Sequence, residues 1–226
     1  MSEYKQTLIT GFGAFGRVKT NPCEQALAHF SGQVISGQLI TTCLLPVSYS
    51  QAPLYLETAL KAGGKHGAPF DFILMLGVAA DASGWRVERF GRNFNGSARD
   101  IEGVSPPPSI VQEAPETLEA TLSVEDIRLA LEAVGLPVVI SESAGDYLCN
   151  HIFYRALWEM RCSGSQTPTG FLHVPASSDT FDSPERNTTA FSHEQHLTAV
   201  EAALIILQPD FEEPNETIAF GENFEF

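Results

Sequence analysis

Residues 70–78 read Phe70-Asp71-Phe72-Ile73-Leu74-Met75-Leu76-Gly77-Val78, an almost unbroken apolar run. A run of this kind is expected of a central strand covered on both faces, as in a parallel sheet with helices on either side. Working outward, the flanking segments keep to that pattern. Upstream, Leu39 to Val47 is strand-like and Ser50 to Ala62 helix-like. Nearer the start, Leu8 to Thr10 is a short β-rich run, and Asn21-Pro22 reads as N-cap and first position of a helix to about Phe30. Downstream, Trp85 to Phe94 reads as a strand, and Ile101 to Leu118 as a proline-rich excursion carrying Pro106, Pro107, Pro108 and Pro115. Then come a helix from Ser123 to about Gly135, a strand from Val138 to Glu142 and a helix from Asp146 to Arg161. A strand from Gly170 to Val174 and an amphipathic helix from His193 to Leu207 complete the series. The alternation predicts one α/β domain over residues 1–209, with a largely parallel, mixed sheet between helical layers. Residues 210–226 have no clear period and read as an acidic, loosely held tail.

Composition narrows the function. The chain has 226 residues, 43% of them apolar, with 13 Lys and Arg against 28 Asp and Glu, a formal net charge of −15. A field of that sign repels phosphates, and no basic cluster offsets it, so nucleic acid is excluded as a partner. The longest apolar stretch, Phe72 to Ala80, is far short of the ~20 residues that span a bilayer. No secretory signal is expected, because the glycines from Gly11 to Gly16 interrupt any early hydrophobic region. The four cysteines, Cys23, Cys43, Cys149 and Cys162, show no tight pairing. A soluble, cytoplasmic protein is the expectation.

Gly11-Phe12-Gly13-Ala14-Phe15-Gly16 matches the glycine spacing of a dinucleotide loop, but the context fails. Asn21-Pro22 delays the helix that should hold the pyrophosphate, and no acid lies between Glu24 and Glu57 to bind the ribose. A P-loop fails as well, since Arg17-Val18 stands where Lys and Ser or Thr are required. The aromatic pair Phe12 and Phe15 is the more telling feature.

Cys149 lies at the start of the helix that runs on through Phe153 and Leu157. A thiol in a first helical turn meets orphan N–H groups and the positive end of the helix dipole, which favour thiolate. The same position also suits an ordinary small core residue. Cys23, one residue after Pro22, is the runner-up nucleophile. A thiolate needs an imidazole to take and return a proton. His151 is nearest in sequence, but residues two apart on a helix point roughly 200° apart. His193 and His196 form a spaced pair with no third ligand and read as a solvated face. His173, near the C-terminal end of a strand, sits where open α/β sheets bind ligands. Glu88, an acid within Trp85-Arg86-Val87-Glu88-Arg89, is one of several acids able to orient that imidazole, with ion pairing to Arg86 or Arg89 as its plainer role.

Taken together, four separated stretches resemble the pyroglutamyl peptidase I (pyrrolidone-carboxylate peptidase) family of cysteine peptidases. They are Thr10 to Gly16 with Asn21-Pro22, Glu88-Arg89, Ser143-Ala144-Gly145 with Tyr147, Cys149 and Asn150, and Gly170-Phe171 with His173-Val174-Pro175. Residues 199–204 of the last helix are also similar. The resemblance implies an α/β/α fold, Cys149 as nucleophile, His173 as base and acid, and Glu88 as orienting carboxylate. It implies that Phe12 and Phe15 sandwich the lactam ring, and that Tyr147, Leu148 and Arg99 lie at the substrate. It further implies no metal or organic cofactor, peptides with N-terminal pyroglutamate as partners, a cytoplasmic location and a homotetramer. Departures are Ala14 in place of the usual proline, Arg17, the loop from Val78 to Trp85, and Gly91-Arg92-Asn93 after Glu88-Arg89. They bear on fine specificity and subunit packing and remove no catalytic residue. The changed loop motivates an alternative, a homologue that binds a lactam or peptide without turnover.

Overall fold

The computed structural model describes residues 4–16, 18–177, 180 and 191–207. Arg17, the acidic tail at 210–226 and the domain boundary placed before it lie outside these residues. The elements are β1 (Lys5–Phe12), α1 (Pro22–Phe30), β2 (Val34–Ile35), β3 (Gln38–Leu45), α2 (Ala52–Ala62), β4 (Phe72–Ala79), β5 (Trp85–Glu88), β6 (Phe90–Arg92), β7 (Thr117–Glu119), α3 (Val124–Ala133), β8 (Val138–Ser141), α4 (Leu148–Ser163), β9 (Thr169–Pro175) and α5 (His193–Ile206).

Seven strands form one sheet in the order β2-β3-β1-β4-β9-β5-β8, and β6 pairs β7 separately. The ladders from β3 through β1 and β4 to β9 are parallel, as is β5 with β8. β5 runs antiparallel to β9. The connection from β4 to β5 spans only residues 80–84, too short for the crossover that a parallel return requires. The sheet is therefore mixed, as expected. β4 is central and nearly all buried, while Asp71 just before it accepts the Gln6 N–H at 2.8 Å and pairs with Lys5.

Each face of the sheet carries its own core. One holds Ile9, Leu74, Leu76, Trp85 and Leu172 under α1, α3 and α5. The other holds Leu8, Phe12, Met75, Phe153 and Phe171 under α2 and α4. This is a three-layer sandwich. The α5 helix lies against both α1 and α3, so it buries a broad surface rather than one stripe. His196, expected on a solvated face, is 1% exposed and packs on Trp85 and Phe191.

Two boundaries differ from expectation with consequences for the site. Residues 85–94 are not one strand: after Glu88 the chain leaves the main sheet and β6 packs on α4. Gly91 permits this, since a Cβ there would lie 3.0 Å from the Tyr154 Cα. The α4 helix starts at Leu148 rather than Asp146, because Gly145 takes φ +83° and Tyr147 is extended. Within the excursion expected to be irregular, β7 forms to pair with β6.

Candidate active site

The strand order reverses at β1, which has β3 on one side and β4 on the other. In such sheets the crevice beyond the carboxyl ends of the strands is where ligands bind. At that edge β1 ends in Phe12, β4 in Ala79 and β9 in Pro175.

Cys149 is the second residue of α4. Its N-cap, Tyr147, makes no side-chain cap hydrogen bond, and the Tyr147 carbonyl accepts the His151 N–H at 3.0 Å. The first-turn N–H groups therefore carry no side-chain cap and face outward with the positive end of the helix dipole. The half-buried sulfur sits over β4 at Gly77, where a Cβ would come within 2.7 Å of Sγ and 2.7 Å of Phe171 Cζ. Glycine is what lets the thiol lie down on the sheet. Gly77 was readable as the one glycine inside the apolar run, a mark of close approach in a strand.

His173 stands in register with Gly77 on the neighbouring strand. Its Nδ1 donates to Glu88 Oε1 at 2.7 Å, with His173 7% and Glu88 1% exposed. That bond selects the tautomer and leaves Nε2 free to serve the sulfur, whose influence on the imidazole is felt in its raised pKa. Burial pulls the imidazole down, but the Cys149 charge, the Cys149 hydrogen bond and the Glu88 carboxylate outweigh it and hold His173 at about 9. A protonated imidazole at His173 is the state this arrangement favours. Among the described residues, Glu88 Oε2 is buried without a hydrogen-bond partner.

Asn150 ties these parts together, a role its sequence position did not reveal. Fully buried, it accepts the Arg92 N–H at 2.8 Å and donates to the Arg92 and Phe94 carbonyls, each at 2.9 Å. The segment leaving Glu88 is thus pinned to the first turn of the helix that carries Cys149. His151 is engaged elsewhere, with Nδ1 2.9 Å from Asn95 Oδ1 and its ring edge-on to Tyr49. Burial, and then the Arg155 charge, lower His151 to about 4.

Phe12 is 4% exposed within the core beneath α2 and α4, and half-buried Phe15 packs against that core. The loop between them is held by Asn21, which donates to the Gly13 carbonyl at 2.9 Å and caps α1 through the Cys23 N–H at 2.9 Å. Phe15 itself exchanges two backbone hydrogen bonds with Val18. Leu148 is 1% exposed, so its main chain rather than its side chain is available to a ligand. Tyr147 is half-buried, edge-on to Tyr49, and its hydroxyl donates to the Arg99 carbonyl at 3.2 Å. The Arg99 guanidinium is exposed and donates to the Gly103 carbonyl at 3.3 Å, while its own carbonyl is the group that holds Tyr147.

Cys23, the second residue of α1, is fully buried on the opposite face of the sheet. Burial, then the Cys149 charge, push its thiol well above the usual range. It is a core residue. Among the described residues, no three His, Cys, Asp or Glu side chains are grouped to hold a metal ion, and no helix is long and apolar enough to cross a membrane.

The model of the family described as pyroglutamyl peptidase matches residues 5–209. The pyrrolidone-carboxylate peptidase of Thermococcus litoralis is 32% identical over 206 residues, covering 88% of this chain and 91% of that protein. That of Pyrococcus furiosus is 33% identical over 173 residues, covering 75% of this chain and 80% of that protein. The solved structure of the Thermococcus litoralis pyrrolidone carboxyl peptidase superposes with a TM-score of 0.81 at 33% identity, covering 89% of this chain and 92% of that one. With a matching sandwich and a buried histidine–glutamate pair beside a thiol in the first turn of a helix, this chain belongs to the pyroglutamyl peptidase family.

Proposed function

We propose that this chain hydrolyses the amide bond after an N-terminal pyroglutamyl residue of peptides, with Cys149 as nucleophile, His173 as general base and acid, and Glu88 as orienting carboxylate. The observation that carries the assignment is the buried 2.7 Å His173–Glu88 bond beside a sulfur seated over Gly77. Cys149 Sγ attacks the pyroglutamyl carbonyl carbon, and the oxyanion is received by first-turn N–H groups of α4. A donor of this type contributes roughly 10²–10³ in rate. His173 passes its proton to the leaving nitrogen as the C–N bond breaks, leaving a thioester and a free peptide amine. It then takes a proton from water, whose oxygen attacks the thioester. The C–S bond breaks, pyroglutamate leaves, and the thiolate–imidazolium pair is restored. These steps balance with the chain's own residues and water.

Phe12 forms the rigid wall of the ring pocket and Phe15 its more accessible side, with the main chain at Leu148 and the hydroxyl-anchored Tyr147 beside it. Pyroglutamate carries no charge, so flat apolar walls suit it better than an ion pair. Arg99 acts through its backbone tie to Tyr147. A cytoplasmic location and a homotetramer belong to the same reading; a reducing compartment keeps the nucleophile as thiol.

The decisive assay is release of a fluorescent amine from a pyroglutamyl-aminocoumarin reporter. Turnover abolished by thiol alkylation and by Cys149→Ala, and retained in Cys23→Ala, is the expected result. Binding of the lactam without turnover would overturn the peptidase assignment in favour of a non-hydrolytic homologue.

A further inference from the structure

Across the carboxyl edge of the sheet, the site is laid out in strand order. Phe12 closes β1, Gly77 under the Cys149 sulfur is on β4, His173 is on β9, and β5 comes next. On β5, Arg86 pairs with His173 in the antiparallel register, and Glu88 pairs with Phe171. Directly paired residues share a face, and the intervening Val87 and Leu172 belong to the opposite core. Arg86 therefore stands on the catalytic face, one strand beyond the base. β5 runs opposite to β9, which puts Arg86 nearer the rim and Glu88 deeper.

The guanidinium is held loosely there. Its side chain is 37% exposed, and its described ion pair is a 3.9 Å contact with Asp81, itself 79% exposed, in the 80–84 loop at the end of β4. Such a pair is weak and readily exchanged for a better-placed carboxylate, which a guanidinium can grip with two parallel hydrogen bonds.

We propose that Arg86 is a specificity residue for the leaving peptide, taking a carboxylate on the residue that follows pyroglutamate. The inference rests on the peptidase reading above, in which the lactam ring lies at the phenylalanines on the β1 side. With the ring at β1 and the scissile carbon at Cys149 over β4, the leaving amine points toward His173. The chain beyond that amine continues over β5. In a protein of net charge −15, Arg86 supplies local positive charge where an acidic leaving group arrives. The carboxylate comes either from an acidic side chain or from the free C-terminus of a dipeptide. Asp81 occupies the guanidinium in the resting enzyme and competes with the substrate.

The test compares kcat/KM for four peptides and one uncharged reporter. Pyroglutamyl-glutamate amide against pyroglutamyl-glutamine amide isolates a side-chain carboxylate. Pyroglutamyl-alanine against its amide isolates a terminal one. The aminocoumarin reporter has neither. In the wild type, the acid in at least one pair should be preferred, and the preference should fade with added salt. Arg86→Gln should reduce that preference about three- to fivefold, mainly through KM, the scale of an exposed ion pair. It should leave the reporter within about twofold. Asp81→Asn should move the preference the other way, which a merely structural role for Arg86 would not produce. Whichever pair responds identifies the source of the carboxylate. If both ratios are unchanged in Arg86→Gln while the reporter is cleaved normally, Arg86 plays no part and the inference falls alone. If wild-type protein cleaves neither reporter nor peptides, the peptidase reading falls and takes the inference with it.

Discussion

Replacing Gly77 by Ala tests whether the nucleophile works where the structure puts it. The added methyl would meet Cys149 Sγ and Phe171 Cζ, each at 2.7 Å, and Phe171 Cε1 at 3.0 Å. Ordinary contact begins near 3.4 Å, so Cys149 Sγ and Phe171 Cζ must each retreat by ~0.7 Å and Phe171 Cε1 by ~0.4 Å. β4 cannot yield easily, because it is hydrogen bonded to β1 on one side and β9 on the other. Phe171 is 1% exposed and wedged between the Phe153 and His173 rings, with centroids 5.5 and 4.8 Å away. The half-buried sulfur is the group with room to move, by rotation about its side-chain bond. That rotation takes it away from His173 and off the carbonyl. A misplacement near 1 Å is worth on the order of 10² in rate, and overpacking costs about 1–3 kcal/mol in stability. Gly77→Ala should therefore lower kcat about a hundredfold, slow iodoacetamide alkylation of Cys149 at neutral pH, and leave a folded protein. A folded variant with wild-type kcat and alkylation rate would mean that the thiol does not rest over Gly77, and the assembled site would be refuted.

Three further outcomes are expected. His173→Ala should lower kcat by at least ~10² and slow Cys149 alkylation, whereas His151→Gln should leave the alkylation rate near wild type because His151 is bound to Asn95; the reverse result would reassign the base. In a nuclear magnetic resonance titration, His173 should lose its proton at about 9 in the wild type and at lower pH in Cys149→Ala, since the sulfur's charge and hydrogen bond help hold the proton; an unchanged midpoint would deny the pairing. His151 titrates at about 4 when folded against about 6.5 unfolded, so its stabilising contribution is full above pH 6.5 and is lost as pH falls toward 4. The full loss is on the order of 3 kcal/mol, so wild type should lose roughly 5–10 °C more of Tm than His151→Gln between pH 6.5 and 4.5; parallel curves would show that His151 is not buried neutral.

Much of the fold was readable because local rules and tertiary packing agree. The apolar run at 72–79 is the central strand, Asn21 caps the helix it was expected to cap, and the helix expected to begin at Ser123 does so, with Ser123 as its cap. Departures arise where long-range contacts override local preference. Residues 85–94 look like one strand, yet the chain breaks after Glu88 because Asn150 and Tyr154 on α4 capture residues 91–94. His196 has the look of a surface residue but is enclosed by Trp85 and Phe191, which lie far from it in sequence or in a different element.

By itself, the sequence determined the α/β alternation, the place of Cys149 in the first turn of a helix, the exclusion of His151 by helical periodicity, and the family to which the motifs belong. Each depends on neighbours along the chain, whose geometry is set by the backbone. Only the tertiary structure decided which of several acids faces His173, that Cys23 is shut away on the far side of the sheet, that Gly77 makes the seat for the sulfur, and that Arg86 shares a face with the base. Those depend on strand order and register. The crossing of β9 between β4 and β5 brings residues 77, 88 and 173 together, and no local pattern records which strand will be inserted between two others.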